Sequence, residues 1–102
     1  MPIFNFYGTN EEVVKKFAAK SSELALNLNA PEQAFSFWNI TSISTNTNLV
    51  KIEIKWKKRE EAMKAWVSDL LQNFFTQIDS KKETVVIFSE IDDNYYKSGK
   101  KS

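Results

Sequence analysis

Residues 50–88 read VKIEIKWKKREEAMKAWVSDLLQNFFTQIDSKKETVVIF, and the change of period within them decides the fold. Val50, Ile52, Ile54 and Trp56 alternate strictly with Lys51, Glu53 and Lys55. That is the period-two pattern of a strand with one dry face and one that is solvated or lies at a subunit boundary. Lys57–Glu61 makes a charged corner. Between Ala62 and Ile78 the apolar period lengthens to three and four, with Met63, Trp66, Val67, Leu70, Leu71, Phe74 and Phe75 forming a stripe wide enough to pack a helix on a sheet. Asp79–Glu83 connects to Val85-Val86-Ile87-Phe88, an apolar run without alternation, which predicts a strand buried on both faces. Strand, helix and strand at these lengths form a βαβ unit whose two strands run parallel.

The first half repeats that order. Pro2–Tyr7 is short, aromatic and β-branched, and Gly8 ends it. Thr9-Asn10-Glu11-Glu12 has the form T-x-x-E, which predicts Thr9 as the cap of a helix with Glu12 reaching back. Val14, Phe17, Ala18, Ser21, Ala25 and Leu28 give that helix one apolar stripe, Asn27–Asn29 offers end residues, and Pro31 stops it. Phe35–Ile43 is the second strand, with Phe37 and Trp38 on opposite faces, and Ser44–Asn48 is a loop. The expectation is an α+β fold, β-α-β-β-α-β, with a four-stranded mixed sheet carrying two helices on one face. A single domain covers residues 1–102, polar from about residue 92 and ending in a basic stretch, Lys97–Lys101, that reads as a frayed terminus. The split βαβ, or ferredoxin-like, arrangement shares this element order, and order alone does not separate the two.

Composition removes much chemistry. The 102 residues include no cysteine and no histidine, so thiol catalysis, sulfur-ligated zinc, histidine triads and the commonest general base are excluded. Fourteen basic against thirteen acidic residues leave a net charge of +1, too little for a global field toward nucleic acid or acidic membranes. The only glycines are Gly8 and Gly99, so no phosphate-cradling loop exists. The third strand also lacks the glycine-and-aromatic motif of single-strand RNA readers, and no nucleic-acid partner is expected. Glu60/Glu61 and Asp92/Asp93 are sequence neighbours, read as solvated surface charge rather than paired catalytic acids. Nothing calls for a metal or a cofactor. No apolar run approaches the roughly 20 residues of a membrane span, and Met1-Pro2-Ile3 does not open a signal peptide; a cytoplasmic protein is expected.

Two residues carry chemistry. Pro2 stands at the start of a strand, a place proline tolerates on structural grounds alone. If Met1 is removed, Pro2 becomes a secondary amine; an α-amino group titrates near 7.7–8.0, and apolar burial pushes that down by disfavouring the cation. That supplies a general base near neutral pH without histidine; with Met1 retained, the nitrogen is an amide and no base. Arg59 is the lone arginine among the basic residues. It suits bidentate capture of a carboxylate, although it also fits a surface place at the start of the second helix.

Met1-Pro2 before Ile3-Phe4-Asn5-Phe6, the Trp56-x-x-Arg59 corner and Asn94-Tyr95-Tyr96-Lys97-Ser98-Gly99 together resemble the tautomerase superfamily, the group of 4-oxalocrotonate tautomerase and macrophage migration inhibitory factor, nearest a branch of short bacterial proteins. The resemblance implies a homotrimer of βαββαβ subunits, keto–enol proton transfer by Pro2, and Arg59 as clamp for the carboxylate of a small 2-keto acid. It places Tyr95 in the region after the last strand where some relatives carry a site tyrosine; Trp38 has no such match and enters only as a pocket wall. Geometry adds an expectation of its own. If the two parallel pairs lie antiparallel to each other, Pro2, Phe35, Trp56–Arg59 and Ile91–Tyr95 meet at one end of the sheet. The competing reading is a non-enzymatic trimeric binding module on the same scaffold, favoured by a closed setting at Pro2 and an exposed apolar patch elsewhere.

Overall fold

The computed structural model describes residues 2–91 and 95–101. Met1, the Asp92/Asp93 pair and Asn94 of the tail motif lie outside the described residues. Strand β1 (Ile3–Tyr7) leads into α1 (Glu11–Ala18) and α2 (Ser21–Leu28). A 3-10 turn (Glu32–Ala34) precedes β2 (Ser36–Ile40). Then come β3 (Leu49–Trp56), α3 (Glu61–Ile78), β4 (Glu83–Glu90) and a small hairpin of β5 (Tyr96–Lys97) and β6 (Lys100–Lys101). The sheet order is β2-β1-β3-β4; β1 pairs parallel with β2, β3 parallel with β4, and the central β1–β3 pair is antiparallel. A parallel β1–β2 neighbour pair excludes the ferredoxin-like alternative and gives the expected four-stranded mixed sheet.

One face of that sheet holds the core. Phe4 and Phe6 of β1 stand beside Ile54 and Ile52 of β3 in the ladder, and all four are fully buried. Phe17 bridges them to the helices, with ring centroids 5.9 Å from Phe4, 5.6 Å from Phe6 and 5.2 Å from Phe74. Leu24, Leu28, Val67, Leu71 and Phe75 complete the layer. The alternation read in β3 holds: Val50, Ile52, Ile54 and Trp56 are buried, while Lys51 and Lys55 are exposed on the opposite face.

Four expectations are corrected. The first helix is two, because Ala19 and Lys20 make a tight turn in which the Lys20 N–H bonds the Phe17 carbonyl at 2.9 Å. That turn shifts the helical phase, so Leu24 is buried where the continuous stripe has Ser21 and Ala25, and the sheet carries three helices rather than two. The cap of α1 is Asn10, not Thr9: Asn10 is extended, and its Oδ1 accepts the Val13 N–H at 3.0 Å. The β4 run is not buried on both faces within the chain. Val86 and Phe88 pack on the core, but Val85 and Ile87 are 40% and 44% exposed on an edge strand, on the sheet face opposite the helices. The basic terminus folds back as a hairpin, its turn made by Ser98 and Gly99, both at positive φ as a two-residue primed turn requires. No helix of the described residues is long and apolar enough to cross a membrane.

Candidate functional site

Pro2 opens the central strand β1 and is fully buried. Its carbonyl accepts the Ser36 N–H at 3.2 Å, which ties the start of β1 to the start of β2 and places Phe35, also buried, beside it. On the other side of β1, Ile3 pairs with Lys55, so the end of β3 lies at the same edge. Trp56 pairs with Glu90, and its carbonyl accepts the Ile91 N–H at 2.7 Å, bringing in the end of β4. Two parallel pairs set antiparallel therefore gather Pro2, Phe35, Trp56 and Ile91 at one end of the sheet, as the topology predicts.

Arg59 stands three residues beyond Trp56. Its guanidinium carbon lies 4.4 Å from the Trp56 ring centroid, and Nη1 donates to the Lys58 carbonyl at 3.1 Å. The stacking fixes the planar cation while leaving its other donors free for an anion. The side-chain ion pairs among the described residues are Lys15–Glu11 and Lys64–Glu61, so no carboxylate of those residues neutralises Arg59. Arg59 lines two clefts. One, of about 60 Å³, is formed with Trp56, Lys64, Phe88 and Glu90; the other, of about 370 Å³, with Leu28, Asn29, Lys58, Glu60 and Met63. Pro2 lines neither. The backbone thus brings Pro2 and the Arg59 corner to one end of the sheet.

Tyr95 follows residues 92–94 and is half-buried. Trp38 is placed elsewhere: it pairs with Asn5 in mid-ladder, on the sheet face opposite the helices, 56% exposed, its Nε1 donating to Ser36 Oγ at 3.2 Å. Sequence reading missed Lys64, whose ammonium lies 5.9 Å over the Phe88 ring beside the smaller cleft. The available signal was its place in the first turn of α3, close behind the Arg59 corner.

Among solved structures, the chain is similar to a DUF1904 domain from Sebaldella termitidis, 24% identical with a TM-score of 0.90 and full coverage of both chains. It is similar to a macrophage migration inhibitory factor-like protein from Entamoeba histolytica, 16% identical with a TM-score of 0.77, covering 99% of this chain and 98% of that one. It is also similar to Pt0534, a protein crystallised after inactivation by 2-oxo-3-pentynoate, 16% identical with a TM-score of 0.71 over 99% and 94% of the two chains. No curated protein matches the chain. The fold is the tautomerase/migration-inhibitory-factor type, as the resemblance implies. Residues 1–101 match the family described as a domain of unknown function (DUF1904), and the chain belongs to that family.

Proposed function

We propose that this chain is a keto–enol tautomerase or isomerase acting on a small carboxylate-bearing 2-keto acid, assembled as a homotrimer, with Pro2 as general base after removal of Met1. The observation that supports this reading is the meeting, at one sheet end, of a buried Pro2 with an arginine stacked on Trp56 and paired with no carboxylate of the described residues. Apolar surroundings favour the neutral amine over its cation. The Pro2 nitrogen removes a proton from the carbon α to the substrate carbonyl. The carbon–hydrogen electron pair becomes the enolate, and the proton returns to the oxygen or to another carbon. Arg59 holds the carboxylate and stabilises the developing charge. Tyr95 belongs to the same end of the sheet in this reading; Trp38 would wall the site only from a neighbouring subunit.

Intact mass of the untagged protein is the first test, since loss of Met1 is the condition for the amine. The inactivator of Pt0534 then serves as a probe. A free Pro2 amine adds across the conjugated alkyne of 2-oxo-3-pentynoate, so the protein gains the mass of one probe molecule, and Pro2→Ala loses the labelling at that residue. Turnover of an enol-pyruvate substrate falls by roughly 10²–10⁴-fold in Pro2→Ala, the usual contribution of a positioned base. Arg59→Ala raises KM by about tenfold to a hundredfold with a smaller change in kcat. Equal inertness of wild type and both variants across several 2-keto acids would overturn the proposal.

One observation favours the second reading, a non-enzymatic trimeric binding module. Pro2 is closed off, while Trp38, Val85 and Ile87 stand exposed on the uncovered sheet face. A mature protein that keeps Met1 and still binds a partner through that face would establish it.

A further inference from the structure

The opposite end of the sheet carries a second recess. A cavity of about 210 Å³ is lined by Tyr7 and Gly8 at the end of β1, Ser42, Ile43 and Ser44 of the loop after β2, and Leu49 and Lys51 of β3. Its floor is apolar, and Lys51 is its one charged lining residue. The Lys51 ammonium lies 4.3 Å from the Tyr7 ring centroid, a cation–π contact that favours its placement at the cavity. Glu53, the nearest acid along its strand face, is engaged by Asn5 Nδ2 at 3.5 Å, and Lys51 belongs to neither ion pair of the described residues.

The wall is held in place as well. Ser44 Oγ donates to the Asn46 carbonyl and accepts the Asn46 N–H, both at 3.1 Å; Asn46 Oδ1 accepts the Asn48 N–H at 3.1 Å; and Lys82 Nζ donates to the Thr47 carbonyl at 2.8 Å. On this tethered loop Ile43 is 102% exposed in the single chain, an apolar side chain at the mouth of the recess. Ligand contact there recovers buried apolar area that the chain alone does not. The volume falls below the roughly 300–1,000 Å³ of drug-sized sites, which limits the occupant to a small molecule. One cation with no second positive group matches a monoanion rather than a phosphate ester or a dicarboxylate.

We propose that this cavity binds a small amphipathic monocarboxylate, its carboxylate on the Lys51 ammonium and its apolar body against Tyr7, Leu49 and Ile43. The site is independent of Pro2 chemistry and lies at the other end of the strands. Benzoate is the probe, titrated into the ¹⁵N-labelled full-length protein in whatever assembly it adopts and followed by amide chemical shifts. Saturable shifts are expected at Tyr7, Gly8, Ile43, Leu49 and Lys51. They persist in Pro2→Ala and Arg59→Ala. Affinity weakens at least about tenfold in Lys51→Met and for the neutral isostere benzamide. Overlaying spectra of Lys51→Met and wild type confirm that the variant folds. Absence of saturable shifts, their survival in Lys51→Met, or their confinement to Ile3, Trp56 and Arg59 would each overturn the assignment.

Discussion

Gly8 shows how one residue joins a turn to the sheet. Its φ is +85°, and a Cβ there would stand 2.8 Å from the Leu49 carbonyl oxygen, a backbone atom of β3 that cannot swing away. Gly8→Ala therefore loses stability twice, through the left-handed backbone and through displacement of β3. The loss should exceed about 1–2 kcal/mol in denaturant unfolding, the cost of the backbone conformation alone. A change below about 0.5 kcal/mol would show that the β1–α1 turn relaxes freely. Asn10 is the other local decision. Asn10→Ala removes the bond to the Val13 N–H and should cost about 1 kcal/mol, whereas Thr9→Ala should stay within about 0.5 kcal/mol. The T-x-x-E reading missed by one position because Thr9 and Asn10 are adjacent and both suit a cap; the extended backbone at Asn10 decides between them.

At the scale of elements, β3 and α3 were legible and the first helix was not. In β3 the alternation maps directly onto burial, because strand side chains have a period of two whatever the surroundings. The break at Ala19–Lys20 has no glycine or proline to announce it. It shows itself only as a change of phase that buries Leu24 against the sheet. Leu24→Ala should accordingly cost about 2–5 kcal/mol, and Ala25→Ser much less; equal effects would restore the single continuous helix. In β4 the fault was different. Hydrophobicity gives how much surface a strand offers to bury, not whether this chain supplies the cover, and Val85 and Ile87 remain open.

For the whole molecule, the open face is the decisive feature. Trp38, Asn5, Glu53 and Ile87 lie in one row across the four strands. A monomer would leave this apolar edge strand in water, where it invites association. The proposed homotrimer predicts a solution mass three times 11.8 kDa by light scattering. Ile87→Lys should shift that mass toward the single chain, without loss of the helical signal, if the face is the contact. A wild-type protein with the mass of one chain would remove the trimer, and with it any role for Trp38 as a wall of a neighbour's site.

Sequence by itself determined the order of the four sheet strands along the chain, the inward residues of β3, the helical stripe of α3 and the two residues with usable chemistry, Pro2 and Arg59. These follow from local periodicity and side-chain type, which act over a few residues. Only the tertiary structure decided that β1 and β2 are parallel neighbours, which places Pro2, Phe35 and Trp56 at one end of the sheet. It also decided that Pro2 lines neither of the two clefts described beside Arg59, that Trp38 faces away from the helices, and that Tyr7 and Lys51 close a recess with the loop after β2. Such features depend on ladder register and on contacts between residues tens of positions apart, which no local pattern of side chains encodes.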